Sequence, residues 1–402
     1  VNPVASRVHI PLLVALAALA AAGPASAKVY VQWKPRASFF AGFNDNVLLD
    51  GSGADGFGQA RPGIRLDLFG DHQFHIDVDC QAGIGRLLHP DKFAINGGAF
   101  ATSEQCIAHY RDRWSTRTSS HVLLRSTYAQ DPFAISGLGL LLRAGQTQVF
   151  STRLSAEVDH AVSARGQWRF GLDSQVLAFG ANDPGNGAVF TPSIGYSYRT
   201  TPYDTIIVGA REQLFYNFGV TGSPANGVAG APGGIQTESH SLLLGWERRL
   251  RPWATLKASG GPLYVTGQNG GVFSPTARLE IESITPRLAA RLIVSHDLII
   301  GASRAGAIVG DLAEVGTLVT LGSFIGGLRA GVYRNADLPS QFSTVGPAGY
   351  STEVSLDYRI GREWTVGLAA LRDARLNDMG GGPQVDRDVV QMRLTWERFQ
   401  PF

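Results

Sequence analysis

Charge is scarce in this chain. Only 17% of its 402 residues are Asp, Glu, Lys or Arg, against about 25% in ordinary soluble domains, and the formal balance is +2. No Lys/Arg cluster interleaves with aromatic residues, which excludes nucleic acid as a partner. Beyond residue 27 no apolar run reaches the roughly 18 residues that a membrane-crossing helix needs, and helical periodicity is absent. The nine histidines include no H-x-x-x-H pair and the two cysteines no C-x-x-C, so no metal or other cofactor is expected.

Catalytic motifs are missing too. Gly51-Ser52-Gly53-Ala54-Asp55-Gly56 fits G-x-G-x-x-G, but Arg61-Pro62-Gly63 and an alternating strand follow where a phosphate-binding helix would have to begin. It reads as a loop tip. Ser295-His296-Asp297 and His240-Ser241 hold residue types of a hydrolase triad, yet neighbours in a strand point to opposite faces and no Gly-x-Ser-x-Gly elbow is present. Ser295-His296-Asp297 reads as a turn. The chain is not expected to be an enzyme.

What is present begins with a single basic residue, Arg7, an apolar run from Ile10 to Ala22, and Ala25-Ser26-Ala27. This is the pattern of a secretory signal peptide, 1–27, too short to span a bilayer. Residues 28–36 are expected as a short periplasmic segment, and 37–402 as one domain.

That domain is built of segments of about ten residues in which apolar and polar positions alternate. Clear cases are 74–84, 150–159, 168–179, 350–360 and 363–372. Short connections after aromatic or basic strand ends, near Asp71, Ser163, Thr201, Leu250 and Gly361, alternate with longer Gly/Pro/Asn-rich stretches. The long stretches are 50–58, 219–234, 260–271, 334–349 and 375–386. Residues 286–334 blur the period and allow two registers. Nine long and eight short connections join eighteen strands. An even count with tight turns on one side and long loops on the other predicts an all-β fold: a transmembrane antiparallel up-and-down β-barrel in an outer membrane. At this width a barrel holds an aqueous channel.

The two faces of the strands carry different chemistry. The polar face holds Arg153, Glu157, Asp159, Arg169, Asp173, Arg278, Glu280, Glu282, Glu353, Asp357, Arg359, Arg393 and Glu397, the candidate lumen lining. Acids and bases are mixed there, which predicts weak ion selectivity and hydrogen bonding to polar solutes, or pairing among themselves. The apolar face ends near the short turns in Trp168, Trp246, Trp253, Tyr358 and Trp364, an aromatic girdle at one lipid interface. Cys80 and Cys106 lie on apolar faces of neighbouring strands, in a register that also places Ile76 opposite Tyr110. They form either a cross-strand disulfide or two small buried residues.

The last strand, within Val389 to Phe402, must pair with the first, near Phe39 to Val47, to leave no open edge. Trp396 and the terminal Phe402 are the candidate signal for the barrel assembly machinery. Pro401 has no N–H, so the ladder should stop near Phe399 or Gln400.

The opening strands carry a resemblance. Ala37 to Leu49 is aromatic-rich and holds Gly42, Phe43, Asn44, Asp45, Asn46 and Val47, and Pro62-Gly63 opens the next strand. This resembles a family of bacterial outer-membrane β-barrel porins that includes porins associated with Wzx/Wzy-type polysaccharide export. The resemblance implies a barrel conduit for exopolysaccharide, capsule or spore-coat glycan, partnered by a periplasmic polysaccharide export protein and embedded in outer-membrane lipid of a Gram-negative bacterium. A general or selective diffusion porin for small polar solutes is the alternative in the same architecture.

Overall fold

Alternation of apolar and polar residues fixes a strand with two unlike faces, and hydrogen-bond donors along its edges require a partner on each side. In a bilayer only closure satisfies every strand. The computed structural model describes residues 29–45, 53–70, 74–89, 100–129, 149–178, 186–217, 234–267, 270–300, 307–337, 345–376 and 385–398. The signal segment 1–27 and Phe402 lie outside the described residues.

The strands are β1 (Val29–Asn44), β2 (Asp55–Gly70), β3 (His75–Leu87), β4 (Phe100–Arg113), β5 (Thr118–Ala129) and β6 (Val149–Ala161). Then come β7 (Gly166–Ala178), β8 (Gly187–Arg199), β9 (Asp204–Asn217), β10 (Gly234–Arg251), β11 (Ala254–Gly267) and β12 (Gly270–Ile284). The last six are β13 (Leu288–Ile300), β14 (Ala307–Leu321), β15 (Phe324–Asp337), β16 (Val345–Ile360), β17 (Trp364–Leu376) and β18 (Val385–Glu397). They form one 18-stranded sheet in which each strand pairs antiparallel with its sequence neighbours and β1 also pairs with β18. The chain is a closed antiparallel β-barrel. The closing register runs from Arg36 opposite Glu397 through Phe39 opposite Leu394 to Asn44 opposite Val389.

Four of the short turns share one device. The hydroxyls of Ser115, Ser163, Thr201 and Thr285 accept hydrogen bonds from the N–H groups of Thr118, Gly166, Asp204 and Leu288, at 2.8–3.0 Å. A hydroxyl so placed stands in for the backbone acceptor a tight turn lacks. Two further turns use glycine in the left-handed region, Gly322 at φ 62° and Gly361 at φ 71°.

Several boundaries differ from expectation. Residues 29–36 do not form a separate periplasmic segment. They begin β1, paired with β2 from Val29 opposite Gly70, and run past the end of β18. The long stretches 260–271 and 334–349 are mostly strand, so only residues 268–269 separate β11 from β12. Ser295-His296-Asp297 lies inside β13 and is no turn. Strand edges there still find partners, which outweighs the turn composition. In 286–334 the ambiguity resolves into β13, β14 and most of β15 around residues 301–306 and the turn at 322–323.

The outer face is apolar. On β15 the outward residues run Phe324, Gly326, Leu328, Ala330 and Val332 before Arg334, and on β14 from Leu321 to Ala313 before Asp311. From Phe324 to Arg334, at about 3.3 Å per residue and a tilt of about 35–45°, the stretch stands roughly 25 Å tall, the height of a transmembrane band.

Candidate functional site: the inner wall and its rims

Register propagates face assignment from strand to strand, because directly opposed residues share a face. Asp159 lies opposite Arg169, Asp173 opposite Ser155, Glu280 opposite Lys257, Arg329 opposite Glu353 and Arg393 opposite Gly367, itself opposite Asp357. All thirteen candidate lumen residues therefore project to the face opposite the apolar one.

Most of them pair with each other across strands. Arg153 meets Asp173 at 2.8 Å, and Arg169 meets Asp159 at 3.0 Å and Glu157 at 3.2 Å. Glu280 binds Arg278 of its own strand at 3.0 Å and Arg291 of β13, outside the candidate set, at 2.9 Å, and Arg393 holds Asp357 at 2.7 Å. Glu282, Glu353, Arg359 and Glu397 have no ion-pair partner among the described residues. A charge that faces a water-filled interior needs no partner, so both situations are tolerated.

Other inner-wall ions escaped the sequence reading. Lys34 meets Asp67 at 3.2 Å, Arg36 pairs with Asp79 and Arg65 with Asp77, on β1, β2 and β3. Arg329 holds Glu314 at 2.7 Å, and Arg387 pairs with Asp373. The alternating Asp77, Asp79 and Arg65, Asp67 were visible in the sequence; their partners on β1 were not, because that stretch was assigned outside the barrel. Ligand atoms of Asp67, His75 and Asp77 lie within 4.8 Å of one another. Lys34 and Arg65 already face these carboxylates, so this is a charge-paired patch of wall.

Apolar side chains also reach inward at the end of the barrel away from the short turns. Phe57, Leu87 and Val389 form one buried cluster against Phe40 and Leu371, on strands that adjoin the seam. A second cluster joins the inward-facing Val189, Phe215, Leu263 and Val265 of β8, β9 and β11 to Leu298 of β13, which by register lies opposite Val309 on the outward face of its own strand pair.

The rims are chemically marked. Trp168, Trp246, Tyr358 and Trp364 are outward, exposed and close to the short turns, whereas Trp253 is exposed within the turn between β10 and β11, where no strand register fixes its face. They associate with neighbours: Trp168 with Tyr196 at 5.1 Å, Phe324 with Tyr358 at 4.8 Å, and Trp364 with Trp396 at 6.5 Å between ring centroids. Outward Phe39, Phe43, Phe190 and Phe273 form a second set toward the other end. On that side the apolar face gives way to charged pairs: Glu212 with His240 at 3.9 Å, His296 with Asp311 at 2.6 Å, and Arg372 with Asp388 at 3.3 Å. Sequence alternation alone had not shown this upper limit. Each pair joins adjacent strands, and only the register reveals it.

Cys80 stands opposite Cys106, and Ile76 opposite Tyr110, between β3 and β4. The two cysteines are joined by a disulfide on the outward face.

A closed barrel with an apolar band outside and a charged, polar wall inside is the architecture of outer-membrane β-barrels. Several solved porin structures are similar to this chain. OpdK of Pseudomonas aeruginosa, crystallised with vanillate, is 12% identical over 91% of this chain and 98% of its own, with a TM-score of 0.43. OccAB3 of Acinetobacter baumannii is 10% identical over 92% of this chain and 99% of its own, with a TM-score of 0.45. A BenF-like porin of Pseudomonas fluorescens Pf-5 is 9% identical over 92% and 98%, with a TM-score of 0.47. No protein-family model and no curated protein matches the sequence.

Proposed function

We propose that this chain is a passive diffusion channel for small polar solutes in the outer membrane of a Gram-negative bacterium. The observation that carries the proposal is the wall itself. Around a closed barrel, charged side chains point inward and are mostly neutralised by a partner on the next strand or the one beyond it. Such a wall offers hydrogen-bonding groups to a passing solute while holding few uncompensated charges.

Export of a polysaccharide with a periplasmic partner is the reading implied by the resemblance of Gly42 to Val47. The geometry favours the diffusion channel, because two clusters of apolar side chains occupy the interior away from the short turns. A long hydrated glycan needs a wider, polar bore; small solutes do not.

Reconstituted protein should admit small sugars and ions into liposomes with a sharp size limit, and deletion of the gene should slow small-solute uptake while leaving surface glycan intact. Loss of surface glycan with unchanged uptake would instead support export.

A further inference from the structure

The barrel is not evenly open. Val189 on β8, Phe215 on β9, Leu263 and Val265 on β11 and Leu298 on β13 make one buried cluster. Cα atoms of β13 come within 8 Å of those of β8, although five strand spacings, about 24 Å along the wall, separate the two strands. Arg211 of β9 donates two hydrogen bonds of 2.7 Å to Asp297 of β13, across four spacings of about 19 Å in all. A round cylinder cannot bring these groups together. The wall from β8 to β13 therefore folds in upon itself away from the short turns and fills its own interior.

The sequence supplies the bend. The β12–β13 ladder stops at Ala277 opposite His296, so β12 from Gly270 to Thr276 pairs with β11 alone, while Asp297 to Ile300 pair with β14. Pro262 and Pro275 stand opposite each other in β11 and β12, and neither can donate to a neighbouring strand. Ladders also skip between Phe190 and Ser193, around Pro192, and between Ser241 and Leu244. Gly261 sits where an added Cβ would collide with the carbonyl oxygen of Leu242. Outside the bend lies the matching hollow, about 560 Å³, lined by Pro192, Ile194, Leu242, Pro262, Tyr264 and Phe273.

We propose that this infolded lobe is the constriction of the channel, with the Arg211–Asp297 pair as the clasp that holds it shut. Small polar solutes pass along the remaining wall, β14 to β18 and β1 to β7. The proposal rests on the diffusion-channel reading and deepens it, because it assigns the size limit to strands of the barrel itself. The selecting charges are then those of the open wall, such as Arg329 with Glu314 and Arg153 with Asp173.

Barrel diameter grows roughly linearly with strand number, so releasing a six-strand lobe into an otherwise twelve-strand lumen enlarges the open area roughly twofold. Two variants test this in planar bilayers: Arg211→Ala with Asp297→Ala, which strands no charge, and Leu298→Ser, which loosens the cluster. Heat-modifiable mobility on gels checks that each barrel has assembled. Single-channel conductance should rise about twofold, and liposomes should admit larger sugars. A conducting wild type with both variants assembled and unchanged would overturn the clasp alone. A wild type that conducts nothing would overturn the channel reading and the clasp with it. Should neither variant assemble, Val189→Cys with Leu298→Cys decides: the crosslink should form on oxidation with conductance held at the wild-type level, and its failure to form would contradict the infolded lobe.

Discussion

Asp373 on β17 pairs with Arg387 on β18, and the Arg387 side chain is only 2% exposed. The pair Arg153–Asp173 has the same chemistry on the same face, but its side chains are 58% and 31% exposed. Removing one partner of a buried pair costs up to about 3–5 kcal/mol, whereas an exposed pair contributes about 0–1 kcal/mol. Asp373→Asn should therefore lower the urea midpoint of detergent-folded protein clearly, and Asp173→Asn hardly at all. Equal effects would mean that the two sites are equally hydrated.

The face assignment can be tested on neighbouring residues. Val354 points outward in the middle of the apolar band and Ser355 points inward. An arginine on the lipid face at mid-depth costs about 2–4 kcal/mol. Val354→Arg should destabilise the barrel in lipid vesicles by about that much, while Ser355→Arg, facing water, should leave stability nearly unchanged. Reversal of the two would invert the barrel.

The disulfide joins strands that already pair, and it encloses the connection between β3 and β4, with a sequence separation of 26. Constraint of the unfolded chain by a loop of this size is worth about 2–4 kcal/mol. Replacing both Cys80 and Cys106 by serine should lower the denaturation midpoint, and wild-type protein in strong reductant should shift to the same value. The variant should still fold, since the ladder of β3 and β4 runs from His75 to Arg86 without it.

Much of the barrel was legible in the sequence. Alternation in β3, β6, β7, β16 and β17 defined two faces, turn chemistry separated short from long connections, and their count led to eighteen strands. Period two offered the register that sets Cys80 opposite Cys106 while leaving the bond itself open, and the pairing of the last strand with the first followed from the need to close every edge. Other features lay beyond that signal. Alternation does not show where a strand stops, so Val29 to Arg36 and the strand residues within 260–271 and 334–349 were misplaced. Nor does it show contacts between strands far apart in the sheet, such as Arg211 with Asp297. In retrospect Pro192, Pro262 and Pro275 carried that information, because proline inside a strand marks a weakened ladder.

At the seam, Trp396 lies opposite Ala37 on one side and Trp364 on the other. The ladder continues one residue further, where the Arg398 N–H donates to the Pro35 carbonyl oxygen at 3.1 Å. Phe402 follows these residues in the sequence, and we propose that it serves recognition by the barrel assembly machinery. Deleting Phe402 should reduce the amount of barrel in the outer membrane more than it lowers the stability of what has folded, whereas Trp396→Ala should lower both. Unchanged assembly on deletion of Phe402 would remove that residue from the signal.

The central claim is that the charged inner wall bounds a continuous aqueous path. Single-channel recording of the purified protein in planar bilayers tests it directly. Discrete conductance steps are predicted, of uniform size and with weak ion selectivity, as mixed and largely paired charges require. A membrane into which the barrel has demonstrably inserted, yet which shows no steps at any voltage or salt concentration, would contradict it.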